Sequence, residues 1–128
     1  MQTFARFEDI EAWQLARGLT KHVYTVSTNS PLRKDFAFCD QIRRAAVSIQ
    51  ANIAEGSERT GRTEFIRYLL MARGSAGELR SHLYIAMDTE LIDEQDFKEL
   101  YERAHRITRV LTALISYLRQ GNPEKAKR

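Results

Sequence analysis

Apolar residues recur along this chain at intervals of three and four, and the pattern breaks only where turn formers cluster. That spacing lines one face of an α-helix, whereas strict alternation would mark a strand. The first run opens with Asp9 as an N-cap, aligns Trp13, Ala16, Leu19, Val23 and Val26, and reaches about Ser27. Thr28-Asn29-Ser30-Pro31 interrupts it, because proline cannot sit inside a helix. The second begins near Asp35, aligns Phe38, Ile42, Ala45, Ile49 and Ile53, and is expected to stop at Gly56. After the polar joint from Ser57 to Arg62, a third run carries Phe65, Leu69, Ala72, Ala76, Leu79, Leu83 and Ala86, ending between Met87 and Glu90. The fourth starts at a second N-cap, Asp93, and holds the most regular heptad: Phe97, Leu100, Ala104, Ile107, Leu111, Leu114 and Leu118. Gly121-Asn122-Pro123 closes it.

Four helices joined by short loops predict an all-α fold, an antiparallel up-down-up-down four-helix bundle. Three breaks with turn chemistry are too many for one long coiled-coil rod. At 128 residues and 43% hydrophobic, the chain is expected to form one domain over residues 1–128, with 121–128 a frayed basic tail.

The third helix carries a second stripe that a bundle core does not require: Ile66, Leu70, Gly74, Gly77, Ser81 and Tyr84. A glycine costs about 1 kcal/mol against alanine inside a helix, so two on one exposed stripe call for a packing partner. Val110, Ala113 and Tyr117 repeat the hint on the fourth helix. One reading is a core stripe wider than a strict seam. The other makes Ile66, Leu70, Gly74, Gly77, Ser81, Tyr84, Val110 and Tyr117 an oligomer interface.

Composition narrows the function classes. No apolar run approaches the roughly 20 residues that cross a bilayer, and the N-terminus lacks the apolar core of a signal peptide, so a cytoplasmic protein is expected. A lone cysteine, Cys39, has no partner for a disulfide and no clustered histidine for zinc, and reads as a small buried hydrophobe.

Net charge is only +3, yet 15 of the 20 basic residues are arginine, whose planar fork matches phosphate. The charge is also unevenly spread: residues 81–102 sum to −6 and residues 103–128 to +6. An up-down-up-down bundle would separate these ends. Arg59, Arg62, Arg119, Lys125, Lys127 and Arg128 then gather at one pole, opposite the acidic loop between the third and fourth helices. Acidic starts and basic ends complement the helix dipole, which accounts for the helix termini. Dipole complementation does not account for Arg59, Arg62 or the tail, and a phosphate-binding pole is the functional alternative. No aromatic residue interleaves with the arginines of that basic loop, so stacking on single strands has no support there.

With these residues in place, the chain resembles the four helix bundle protein family, also called the 23S rRNA-intervening sequence proteins. The likeness rests on Phe7-Glu8-Asp9-Ile10 with Trp13, Ala16 and Tyr24, and above all on QIRRAAVSIQANIAEG from Gln41 to Gly56. It continues through Glu64-Phe65, Leu69, Gly74-Ser75 and Glu78-Leu79. Gln50 stands where the family commonly has proline; proline would kink the second helix, so glutamine leaves that bend open and the fold unaffected. The resemblance implies a four-helix protomer that assembles into a ring of five. It also implies kinship to the accessory protein of diversity-generating retroelements, which associates with a reverse transcriptase and nucleic acid.

Catalytic and metal motifs fare poorly. A di-iron bundle needs inward glutamates and a Glu-x-x-His pair from each of two helices. Glu102 and His105 match that spacing once but fall on outer heptad positions, and Glu78 with His82 is also off the core stripe. Arg17 and His22 match the spacing of a helical ribonuclease motif at the frequency chance supplies; His22 reads as a surface or interface residue. Ser48, Ser75 and Ser81 have no paired histidine, and Gly74 and Gly77 lie within a helix rather than in a phosphate loop. The expectation is a non-enzymatic protein with no cofactor, no metal, no membrane and no small-molecule substrate. Its partners are copies of itself, with five the expected number, and RNA or DNA; a protein adaptor without nucleic acid is the alternative.

Overall fold

The computed structural model describes residues 6–120. Four helices follow one another: α1 (Glu11–Thr28), α2 (Phe36–Glu58), α3 (Arg62–Asp88) and α4 (Glu94–Gln120). Short 3-10 turns, Phe7–Asp9 and Pro31–Lys34, precede α1 and α2. Two of the starts follow the expected capping chemistry. The Phe38 N–H donates to the Asp35 carboxylate at 3.1 Å, and the Asp96 N–H donates to Asp93 at 2.7 Å.

The start of α1 differs. Asp9 belongs to the 3-10 turn, and the N-cap is Ile10, extended and without a side-chain cap bond. Ile10 is 1% exposed and shares a groove with Val110 and Leu114, so apolar anchoring against α4 sets the chain's entry. Asp9 turns outward to Arg6, 3.6 Å away.

Gly56 also differs from expectation, lying inside α2 instead of ending it. A Cβ there would stand 2.6 Å from Cβ of Tyr68, so the glycine lets α2 and α3 approach where their chains meet. The turn itself uses Gly61, whose φ of 94° suits a residue without a side chain. At its far end α3 closes with a Schellman arrangement: the Leu91 N–H donates to the Ala86 carbonyl at 2.8 Å and the Glu90 N–H to Met87 at 3.0 Å. Glu90 takes the left-handed position, φ 60°, that glycine usually fills.

The Leu32 N–H donates to the Leu91 carbonyl at 3.1 Å, tying the first loop to the third. Arg106 meets Glu11 at 3.6 Å and His22 meets Glu99 at 3.3 Å, contacts that run α4 antiparallel to α1. The chain is therefore all-α, an up-down-up-down four-helix bundle closed by α1 against α4. α2 continues unbroken through Gln50.

The core follows the sequence stripes for α1, α2 and α3, with Trp13, Phe38 and Phe65 half-buried at its margins. On α4 the buried line is Leu100, Ala104, Ile107, Leu111, Ile115 and Leu118. Ile115 replaces the expected Leu114, because a straight helix of 3.6 residues per turn drifts away from a strict seven-residue repeat. Phe97 and Leu114 flank the core, and Cys39 is buried with a free thiol.

Candidate nucleic-acid interface

The bundle carries the acidic third loop at one end and the second loop, with Arg59 and Arg62, at the other. Asn29, Ser30 and Pro31 of the first loop face Glu90, Asp93, Glu94 and Asp96 across one shallow cleft. Asp96 has its pKa raised by burial first and then by the neighbouring Asp93 and Glu99 carboxylates, the signature of crowded negative charge. The opposite pole holds Arg59, Arg62 and Arg119. Lys125, Lys127 and Arg128 lie outside the described residues.

The three basic side chains of this pole are not equivalent. Arg59 donates to the Glu55 carboxylate at 2.8 Å and lies over the Tyr68 ring, 5.2 Å from its centroid. Arg67 covers the same ring at 4.8 Å while pairing with Glu64 at 3.0 Å. These neighbours offset part of the pole's positive charge. Arg62 and Arg119 have no carboxylate within 4.0 Å among the described residues.

The Arg59 hydrogen bond, aided by the Tyr68 hydroxyl, holds the Glu55 carboxyl below its usual range. A depressed carboxyl pKa adds stability above the unfolded value and loses it as pH falls through the folded value. Glu55→Gln is therefore expected to lower the melting temperature slightly at neutral pH and to match the parent once carboxylates are protonated. Melts of the two proteins across the acidic range test this; a deficit that persists unchanged in acid would contradict the pairing.

The residues of the small stripe occupy different surroundings. Ile66 and Leu70 pack in part against the core, while Gly74, Ser81 and Tyr84 are exposed and Gly77 is half-buried. A Cβ on Gly74 would meet nothing within 4 Å, and one on Gly77 would only touch the end of Arg80 at 3.7 Å. Packing within the protomer thus gives no reason for either glycine. Tyr84 faces α4 through Phe97 and Tyr101. Val110 instead lines the groove between α4 and the start of α1, and Tyr117, seven residues on, shares its side of the helix. The fold consequently places Val110 and Tyr117 apart from the α3 stripe.

A third constellation escapes a reading of the sequence alone. Along the outer seam of α3 and α4, Tyr84, Phe97, Tyr101 and His105 form a chain of ring contacts with centroids 5.0 to 6.1 Å apart. Arg80 lies over Tyr101 at 5.8 Å, and its guanidinium is the main influence that pulls the Tyr101 hydroxyl below the usual phenol range. Arg109 donates to Nδ1 of His105 at 3.1 Å, which requires that nitrogen to be unprotonated. Arg73 crosses the seam to the Thr112 hydroxyl at 3.2 Å. Aromatic rings and arginines interleave here, as Tyr68 does between Arg59 and Arg67 beside the second loop. The signal is present as spacing: Arg62, Arg73, Arg80 and Tyr84 follow at intervals of eleven, seven and four, all one face of a helix.

The other candidates stay dispersed. Glu102 is exposed, and His82 is paired with Glu78 of its own helix at 3.5 Å while its ring meets Phe38 at 5.6 Å. No cluster of three metal-ligating side chains occurs among the described residues. Ser48 and Ser75 share a 2.8 Å hydrogen bond across α2 and α3, a packing role. His22 is half-buried against α4 beside Glu99. No described helix is long and apolar enough to cross a membrane.

Comparison with known proteins places this geometry in a family. No curated protein matches the chain. Among solved structures, the chain is similar to a protein from Bacteroides thetaiotaomicron VPI-5482, described as a protein with unknown function from the S23 ribosomal protein family. The two share 25% sequence identity and superpose with a TM-score of 0.75 over 82% of this chain and 95% of that one. The model of the 23S rRNA-intervening sequence proteins matches residues 8–113, a span that takes in the Gln41–Gly56 block and three of the four helices in full. On that match, the chain belongs to the 23S rRNA-intervening sequence protein family.

Proposed function

We propose that the protein is a non-enzymatic, oligomeric scaffold that contacts nucleic acid, or a nucleic-acid-processing partner, through its basic surface. The observation that carries this reading is the segregation of charge along the bundle. The Leu32–Leu91 hydrogen bond holds the acidic third loop beside the first loop at one end, and Arg62 and Arg119 lie without carboxylate partners among the described residues toward the other. Arginines of this kind bind phosphate oxygens bidentately, giving affinity without reading bases. The non-enzymatic part of the proposal draws on the interior: apart from Ser27 and Ser30, the buried side chains of the described residues are apolar. Assembly into a ring of five, and a reverse transcriptase as the kind of partner, come from the family resemblance. The unexplained Gly74 fits a copy packing on its side of α3, away from Tyr84.

The pole is tested by titrating labelled RNA and DNA at several salt concentrations. The variant carries Arg59→Glu, Arg62→Glu and a chain ending at Asn122. Removing a cation that binds one phosphate should reduce the slope of log K against log salt by about 0.7 for a single strand and about 0.9 for a duplex. Glu55→Gln, which frees Arg59, should act in the opposite direction. Binding by the parent with equal affinity and slope in the pole variant would place the contact elsewhere. Absence of binding at low salt would favour a protein adaptor that uses its poles only for assembly.

A further inference from the structure

We infer that the seam between α3 and α4 is a track for a single polynucleotide strand, with bases stacking on the Tyr84–Tyr101 aromatic chain and phosphates following the arginines toward the basic pole. This inference rests on the nucleic-acid reading above and gives it a path and a strand preference.

Three features converge on the seam. The first is aromatic surface. Tyr84 is 47% exposed while its ring is braced by Phe97 at 5.0 Å and Tyr101 at 5.6 Å between centroids. An aromatic ring held from behind is a stacking platform for any base, because every base has a π-face. Arg80, lying over Tyr101, adds a planar cation beside that platform.

The second is unbalanced positive charge. Arg62, Arg73, Arg109 and Arg119 have no carboxylate within 4.0 Å among the described residues, as is true also of Arg80 on the seam and of Arg17, Arg33, Arg43 and Arg103 elsewhere. The Arg73–Thr112 bond and the Tyr84–Tyr101 contact fix which sides of the two helices meet. By helical spacing Arg62 lies on the same side of α3 as Arg73, and Arg119 on the same side of α4 as Thr112. The four guanidinium groups therefore follow the seam to the basic pole.

The third feature is length. From Arg62 to Tyr84 the seam extends about 33 Å at 1.5 Å per residue, which suits a strand of several nucleotides. A duplex hides its base faces in the stack and would gain only the phosphate contacts. A second copy of the chain is the rival occupant, and the assembled mass of the Tyr84 variant distinguishes the two.

The test uses the full chain and labelled 20-nucleotide oligo-U and oligo-dT, with a duplex of the same length as competitor. Light scattering is recorded on every variant. The single strands should bind more tightly than the duplex. Tyr84→Leu should weaken single-strand binding about 5-fold to 150-fold, the worth of one base stack, with the salt slope unchanged. Tyr84→Phe, which keeps the ring, should bind as the parent does. Arg73→Gln combined with Arg109→Gln should reduce the salt slope by about 1.4. Parent binding that none of these variants alters would overturn the track and leave the pole reading standing. Loss of assembled mass in Tyr84→Leu would assign the seam to a second copy instead. Failure of the parent to bind any probe at low salt would remove the track and the pole together.

Discussion

Gly56→Ala is expected to destabilise the protein by about 1–3 kcal/mol, although alanine is the better helix former by about 1 kcal/mol. The added methyl would meet Cβ of Tyr68 at 2.6 Å, and that atom is fixed to the backbone of α3, so relief requires the two helices to part. Gly74→Ala is the matched control. Its methyl meets nothing within 4 Å, so a free protomer should gain up to about 1 kcal/mol from propensity alone. Urea melts of the two variants should shift in opposite directions. A stabilised Gly56→Ala would show that the close approach of α2 and α3 is wrong. Gly74→Ala that weakens assembly would mark its side of α3 as a subunit contact.

Ile115→Ala should cost about 2–5 kcal/mol, since Ile115 is 1% exposed and its truncation leaves a cavity between packed helices. Leu114→Ala should cost no more than about 1.5 kcal/mol, because Leu114 is half-buried beside the α1 groove. Denaturant midpoints decide between the two. The reverse order would return α4 to a strict heptad seam and rotate its face toward α1.

That pair of residues also shows what can be read from the chain alone. The core of α1, α2 and α3 is legible because leucine, isoleucine and alanine recur at three and four with polar residues between them. Along α4, Leu114 and Ile115 are equally apolar neighbours, and only the accumulated drift of a straight helix decides which points inward. Asp35 and Asp93 are legible as caps because their carboxylates receive the orphan N–H groups. Asp9 has the same chemistry but yields the cap to Ile10, whose burial depends on α4, at the far end of the sequence. Gly56 imitates a helix stop for a similar reason: its role is an approach to Tyr68 that local sequence does not display. The end of α3 at Asp88 falls within the expected Met87 to Glu90, though its left-handed residue is Glu90 and not a glycine.

Site legibility follows the same division. Which loops share an end can be read because an up-down-up-down bundle fixes it, and the Leu32–Leu91 bond joins the first loop to the third. The seam cannot, because its aromatic chain joins Tyr84 of α3 to Phe97, Tyr101 and His105 of α4. By spacing alone Phe97 belongs to the core and Tyr84 to a subunit interface, so their shared surface emerges only once the facing sides of the two helices are known. The Arg59–Glu55 pair has a plain four-residue spacing, yet its consequence, a partly neutralised pole, needs the Tyr68 ring beneath it.

The central claim is that arginines with no carboxylate partner among the described residues bind phosphate. The most direct test is the affinity of the full chain for single-stranded RNA between about 50 and 200 mM salt, the range in which released counterions dominate. If Arg62, Arg73, Arg109 and Arg119 of one protomer all contact phosphates, log K should fall with log salt at a slope near −2.8, at about −0.7 per contact. A slope near zero, or no binding at the low end of that range, would contradict the claim.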